Sequence, residues 1–345
     1  MAPMRKSILI LAISLSLISP SASAIEDGTS AAGNSYVVPV MVGITNQCSG
    51  IMISKNVVAT AAHCLLDSTK QISKSIYVGL PGSKIVGLRN TNVTHTFIPD
   101  DYSGSGADNR IGESDIAFLV LSEIYPTYGF VEIASENDLA SLKQKSAPLR
   151  VYGYGYTSNS GDFELEPRYF DGKFDSNYNS GLMNSFGVTS TKGNACGGDS
   201  GSPILSITPK EVLLVGILTG GLFNEGGKCS KKSASGTYSS VFSGISRYSN
   251  ALHLALVQGS ENLIKSLEEK DRIFAELETE NTDTTRLNVD LQFENEDLKI
   301  QLDELRIEVE NLRKMKKVLT CVSGSKVKTV IGIKPVCPKG YKERA

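Results

Sequence analysis

Short apolar runs rich in β-branched residues recur through residue 257, each closed off by Gly, Asn, Asp or Ser. Tyr36–Val42 and Gly50–Ile53 come first, and Ser75–Leu80, Ile116–Leu121 and Val212–Val215 follow. Runs of this length and composition between turn residues read as strands, so this part of the chain is mainly β. Gly216 ends the last run and marks a bulge or a close backbone approach. Residues 157–192 are polar and rich in Gly and Asn and read as surface loops that shape access to a site. Apolar residues return at Phe242, Ile245, Leu252, Leu254 and Leu256, within Val241–Val257.

The period changes from Glu261 to Met315, a stretch with neither Pro nor Gly. Leu263, Leu277, Leu291, Leu298, Leu305 and Leu312 hold one heptad position, which Lys270 and Thr284 interrupt. Leu267, Phe274, Asn281, Asn288, Asn295, Leu302 and Val309 hold its partner. Two apolar positions per heptad form a coiled-coil seam. It predicts a coiled coil over 258–317 and a homo-oligomer built on it, with the mid-seam asparagines favouring a parallel dimer. A single solvated helix, or a helical hairpin packed on the preceding domain, would carry the same pattern. In the tail, residues 318–345, short β-type runs broken by glycines and bracketed by Cys321 and Cys337 suggest a disulfide-closed hairpin. This tail is basic where the seam before it is acidic, so it would either bind an anionic cell-surface polymer or serve as a solvated tail.

Composition narrows the class. The formal net charge of −2 gives no bulk signal for nucleic acid. Six cysteines in three local pairings suit an oxidising compartment. Arg5 and Lys6 precede the apolar run Ile8–Ile18, then Pro20 and Ala22-Ser23-Ala24. That is the pattern of a secretory signal peptide over 1–24, cleaved after Ala24, and it predicts a secreted protein. A retained membrane anchor is the alternative, for which the run is short.

The candidate chemistry lies in Gly193-Asn194-Ala195-Cys196-Gly197-Gly198-Asp199-Ser200-Gly201-Ser202-Pro203. A serine among glycines can present an exposed hydroxyl, but it needs a base within hydrogen-bond reach to act as a nucleophile. The glycines let main-chain N–H groups approach a developing oxyanion. His63 in Thr60-Ala61-Ala62-His63-Cys64 and Asp115 in Asp115-Ile116-Ala117-Phe118-Leu119 supply the base and the carboxylate. His95 and His253 lack such surroundings. No His/Cys/carboxylate set has metal-ligand spacing, so neither metal nor cofactor is expected.

These three motifs, in the order His, Asp, Ser, resemble those of the trypsin/chymotrypsin-like serine proteases of the secreted bacterial type. The resemblance covers 25–257 and implies two six-stranded antiparallel β-barrels, with Val241–Val257 ending the domain in a closing C-terminal helix. It implies His63, Asp115 and Ser200 as the catalytic triad, and the N–H groups of Gly198 and Ser200 as the oxyanion hole. Disulfides Cys48–Cys64 and Cys196–Cys229 follow from it, joining Cys321–Cys337 in the tail. So does an activation ion pair between the freed ammonium of Ile25 and Asp199, although Asp27 stands where the family usually has glycine. By the same resemblance Tyr154 replaces the tryptophan of a Gly-Trp-Gly turn, and Thr219 replaces a serine that supports the catalytic aspartate. Asn194 becomes the floor of the specificity pocket, and Gly221 and Gly236 keep its walls open. An uncharged floor removes the pairing that selects a basic side chain, so non-tryptic specificity is expected. The whole predicts a secreted serine endopeptidase acting on protein or peptide substrates. A catalytically inert, protease-like binding module displayed on a coiled-coil oligomer is the alternative. The tail is similar to small Cys-bracketed C-terminal segments of bacterial secreted proteins.

Overall fold

The computed structural model describes residues 25–343 apart from 35, 44–45, 68, 70, 83–90, 103–113, 126–130, 157–165, 177, 179–184, 210, 222–228, 230–236, 246–247, 281–284, 315–316, 324–325 and 333–341. After the two-residue strand β1 (Thr29–Ser30), six strands make the first barrel: β2 (Val37–Val42), β3 (Asn46–Ser54), β4 (Val57–Thr60), β5 (Ile76–Val78), β6 (Thr91–Phe97) and β7 (Ala117–Leu121). They close antiparallel in the order β2-β3-β4-β7-β6-β5. All five residues of β7, Ala-Phe-Leu-Val-Leu, are buried. One face fills the barrel and the other lies under a C-terminal helix, so an unbroken apolar run is what the position requires.

The second barrel follows β8 (Glu132–Ile133) and α1 (Glu136–Gln144). Its strands are β9 (Pro148–Gly153), β10 (Arg168–Phe174), β11 (Ser185–Ser190), β12 (Pro203–Ile207), β13 (Val212–Gly221) and β14 (Tyr238–Gly244). β9 pairs with both β10 and β12, which closes the ring β9-β10-β11-β14-β13-β12. Gly216 sits at the close approach expected of it: a Cβ there would lie 2.6 Å from the Ser243 carbonyl oxygen.

Three elements in two stretches depart from the sequence reading. The stretch expected as loops holds β10 and β11, whose inward residues Phe170, Phe174, Phe186 and Val188 belong to the second core. Polar residues occupy the alternate positions, so the mean composition hid the period of two. The helix α1 lies in a region read as strands and turns. Its start carries a capping box, with Ser135 Oγ accepting from the Asp138 N–H (3.1 Å) and Asp138 Oδ2 accepting from the Ser135 N–H (2.8 Å).

α2 (Ser249–Glu280) runs without interruption through residue 257 and packs across β7 and β6. Asn56 Nδ2 donates to the Gly259 carbonyl (3.0 Å), and Asn262 Nδ2 to Thr94 Oγ1 (3.0 Å). The closing helix is therefore fastened to the first barrel where it continues into the heptad region. α3 (Thr285–Lys314) returns antiparallel along α2. Leu263 and Leu267 bury against Leu298, Leu302 and Leu305, and Arg306 pairs with Glu268 at 2.8 Å. Among the described residues these seam leucines thus bury one another within one chain. In the sequence, Asn281 and Thr284 of the interrupted seam fall between α2 and α3, and Asn288 falls within α3. Pairing within one chain avoids the entropy cost of associating two. Among the described residues no helix is long and apolar enough to cross a membrane.

The tail forms a three-stranded antiparallel sheet from β15 (Lys317–Ser323), β16 (Lys326–Gly332) and β17 (Lys342–Glu343), ordered β16-β15-β17. Cys337, and with it the expected Cys321–Cys337 bridge, lies outside the described residues, as does Gly236.

Candidate active site

β4 delivers the chain directly into a single 3-10 turn, Ala62–Leu65, and His63 stands on that turn. Cys64 is bonded to Cys48 of β3, which ties the turn to the neighbouring strand. Asp115 precedes β7, the strand paired with β4, and is 2% exposed. Its carboxylate is held by one residue at two points. Oδ1 accepts from the His63 main-chain N–H at 2.8 Å, and Oδ2 lies 2.7 Å from His63 Nδ1. Since Asp115 accepts at both oxygens, the imidazole proton resides on Nδ1 and Nε2 presents its lone pair. Burial pulls the imidazole pKa down, but the charge of Asp115 and its hydrogen bond outweigh that and leave it raised above 6.5.

The serine loop spans the end of the Cys196–Cys229 disulfide and the start of β12. Its backbone is fastened to the first barrel. The Ser49 N–H donates to the Ser200 carbonyl (2.8 Å), and Gly201 fits so closely against β3 and β4 that a Cβ would lie 2.1 Å from the Ser49 carbonyl oxygen and 2.3 Å from Thr60 Oγ1. Gly201 also has φ +83°, which favours glycine on conformational grounds. Thr60 and Ala61 lead directly into the His63 turn, so the close packing of Gly201 sets the serine loop against the strand end that carries His63.

Two peptide planes around Gly198 are pinned. The Gly197 carbonyl accepts from the Tyr156 N–H (2.7 Å) and the Gly198 carbonyl from Ser49 Oγ (3.1 Å). Because a trans peptide sets N–H opposite C=O, the first of these bonds turns the Gly198 N–H away from Tyr156. Ser49, fully buried, also accepts from the Tyr154 N–H at 2.9 Å. Nothing in the local sequence singled it out, because its role depends on strands from both barrels.

Asp199 is fully buried. Oδ1 accepts from the Gly155 N–H (2.7 Å) and Oδ2 from the Cys196 N–H (2.8 Å), and among the described residues no cation pairs with it. Burial pushes its pKa up to about 7 against the pull of those two donors. Its cradle exists because Gly153 and Gly155 lack side chains: a Cβ at Gly153 would stand 2.1 Å from Oδ1, and one at Gly155 2.4 Å from Cγ. Ile25 is also fully buried, in the second core with Ala195, Phe170 and Val151, and has φ 57°. That left-handed conformation is strained for a β-branched residue within a continuous chain.

At the expected pocket floor, Asn194 is 1% exposed and forms an antiparallel bridge with Glu26. Its N–H donates to the Glu26 carbonyl and its Nδ2 to Glu26 Oε2, each at 3.1 Å. Gly221 ends β13 opposite Ser240. The Thr219 hydroxyl, which the resemblance would aim at Asp115, donates to the Val241 carbonyl at 3.1 Å.

A double β-barrel with a partly exposed histidine held by a buried aspartate, and with a glycine-framed serine, is the architecture of the trypsin-like serine proteases. The trypsin family model matches residues 25–250, and the chain belongs to that family. It is similar to the protein named Lectizyme of Glossina austeni, with 26% identity over 206 residues, 54% of this chain and 72% of that protein. It is also similar to trypsin iota of Drosophila melanogaster, with 25% identity over 218 residues, 60% of this chain and 79% of that protein. The two disulfides fit an oxidising, extracellular setting.

Proposed function

We propose that this chain is a secreted serine endopeptidase acting through Ser200, His63 and Asp115. The observation that carries the reading is the two-point hold of Asp115 on His63, at the strand end against which Gly201 of the serine loop packs. His63 Nε2 takes the Ser200 hydroxyl proton as Oγ bonds to the substrate carbonyl carbon and the carbonyl electron pair moves to oxygen. The N–H groups of Gly198 and Ser200 donate to that oxyanion and stabilise its charge. The tetrahedral intermediate collapses, the amine leaves with the proton from His63, and water repeats the sequence on the acyl-enzyme. Asp115 stabilises the imidazolium formed in each half.

Activation follows from Ile25 and Asp199. Cutting after Ala24, as the signal-peptide pattern of 1–24 implies, abolishes φ as a constraint at Ile25 and frees an ammonium beside a core that already buries its side chain. That ammonium would meet the carboxylate of Asp199, a buried ion pair that is costly unless both partners are present. Export and activation would then be one event. Asn194 taken alone favours a neutral side chain in the pocket. The basic tail would hold the enzyme on an anionic cell-surface polymer, and assembly into a homo-oligomer would need a surface other than the buried seam leucines.

Intact mass of the secreted protein with and without a fluorophosphonate tests this. One adduct, absent in Ser200→Ala, on a chain beginning at Ile25 is the expected result. No adduct on a chain with that start would turn the reading to an inert binding module. No adduct on a chain starting upstream would indicate a precursor awaiting another protease.

A further inference from the structure

We infer that Glu26 supplies the negative charge of the specificity pocket, so that the pocket selects a cationic side chain, arginine or lysine, on the acyl side of the scissile bond. This rests on the protease reading above and changes its substrate class, because the uncharged floor residue does not act alone. Glu26 Oε2 accepts from the side-chain amide of the buried Asn194 at 3.1 Å. A carboxylate oxygen of Glu26 lies within 4.8 Å of both sulfurs of the Cys196–Cys229 disulfide. The hydroxyl of Tyr238, at the start of β14, is raised in pKa by burial and then by the charges of Glu26 and Asp27. One carboxylate therefore stands beside the residue that the resemblance makes the pocket floor, beside the disulfide, and near the start of β14.

The position is set by backbone. The Glu26–Asn194 bridge and the burial of Ile25 fix the Cα of Glu26, and the Asn194 amide orients its carboxylate. With Oε2 engaged by that amide, Oε1 is the oxygen that would accept from an incoming guanidinium or ammonium. The disulfide beside it is apolar, so a charge there is screened less than at an open surface. The carboxylate of a tryptic floor is supplied here by a residue distant in sequence, next to the activating N-terminus. No local motif could have revealed it.

The test uses peptides that differ only at the residue before the scissile bond, Arg, Lys, Gln or Phe, together with p-aminobenzamidine binding to the secreted Ser200→Ala chain. Arg and Lys should exceed Gln and Phe in kcat/KM by at least about tenfold, the scale of one charge-assisted hydrogen bond. Glu26→Gln should collapse that ratio and p-aminobenzamidine binding together. Asn194→Asp on the Glu26→Gln background should restore both, which separates lost charge from misfolding. A preference for Gln or Phe, or a ratio indifferent to Glu26→Gln, overturns the inference. Hydrolysis without p-aminobenzamidine binding sinks the pocket charge alone. Glu26-dependent binding without hydrolysis or fluorophosphonate adduct sinks the protease reading alone, and loss of all of these sinks both.

Discussion

Raising the pH on the uncut chain, with residues 1–24 attached and Ser200→Ala to prevent self-cleavage, is expected to destabilise it, because Asp199 is buried with no cation paired to it among the described residues. Its ordinary pKa of 3.8 is pushed up to about 7 in the fold. Below 3.8 the group is neutral folded and unfolded, and it costs nothing. Between the two values the unfolded chain has lost the proton that the folded chain keeps, so unfolding is favoured at about 1.4 kcal/mol per pH unit. From about pH 5 to about pH 8 roughly two of those units are crossed, a loss of about 3 kcal/mol. Asp199→Asn turns an amide donor towards one of the two backbone N–H groups, so it should be the less stable protein at about pH 5. Its pH slope, however, should be flatter. His63 has a raised pKa, so its stabilisation also fades as pH rises above 6.5, but it does so in both proteins. The difference between their urea curves therefore isolates Asp199. Parallel dependence on pH would refute the argument. In the chain cut before Ile25 the ammonium should hold Asp199 ionised, and the sign should reverse.

Asp115→Asn is expected to lower kcat by about 10³- to 10⁴-fold. It should also shift the acid limb of the kcat/KM profile to lower pH, since the partner that raises His63 is lost. An unmoved limb would mean that His63 is not the titrating base. Ser49→Ala removes the hydroxyl between the Gly198 carbonyl and the Tyr154 N–H. It should reduce kcat about tenfold with KM little changed, and peptide-boronate affinity should fall in parallel; a loss confined to thermal stability would make Ser49 merely structural. Gly155→Ala drives a Cβ to 2.4 Å from Asp199 Cγ, and should slow fluorophosphonate labelling and lower the unfolding temperature together. Leu302→Ala should destabilise the α2–α3 pair by about 2–4 kcal/mol, read by the loss of helical circular dichroism on heating. That transition should not depend on protein concentration, and a concentration-dependent one would mean that the seam pairs between chains.

Through its resemblance to the protease family the sequence was sufficient for the double-barrel class and the disulfides Cys48–Cys64 and Cys196–Cys229, and its motifs marked His63 and Asp115, which the fold pairs. The flanks of His63, Asp115 and Ser200 specify local backbone, and local backbone can be read locally. The heptads announced two apolar positions in seven, which is a property of a helix surface. They could not say which surface would cover it, since a partner chain and a returning segment of the same chain bury the same leucines. Only the antiparallel return of α3 made it a hairpin.

β10 and β11 were hidden for a related reason. A strand that buries alternate residues averages to a polar composition, and its partners across the barrel decide that it is a strand at all. Ser49, Gly153, Gly155 and Glu26 acquire their roles from residues far away in sequence: the Gly198 carbonyl, the Asp199 carboxylate and the Asn194 amide. Hydrogen bonding and steric exclusion act over a few ångströms of space, so what a buried polar group contributes is decided when the barrels close and bring its partners to it.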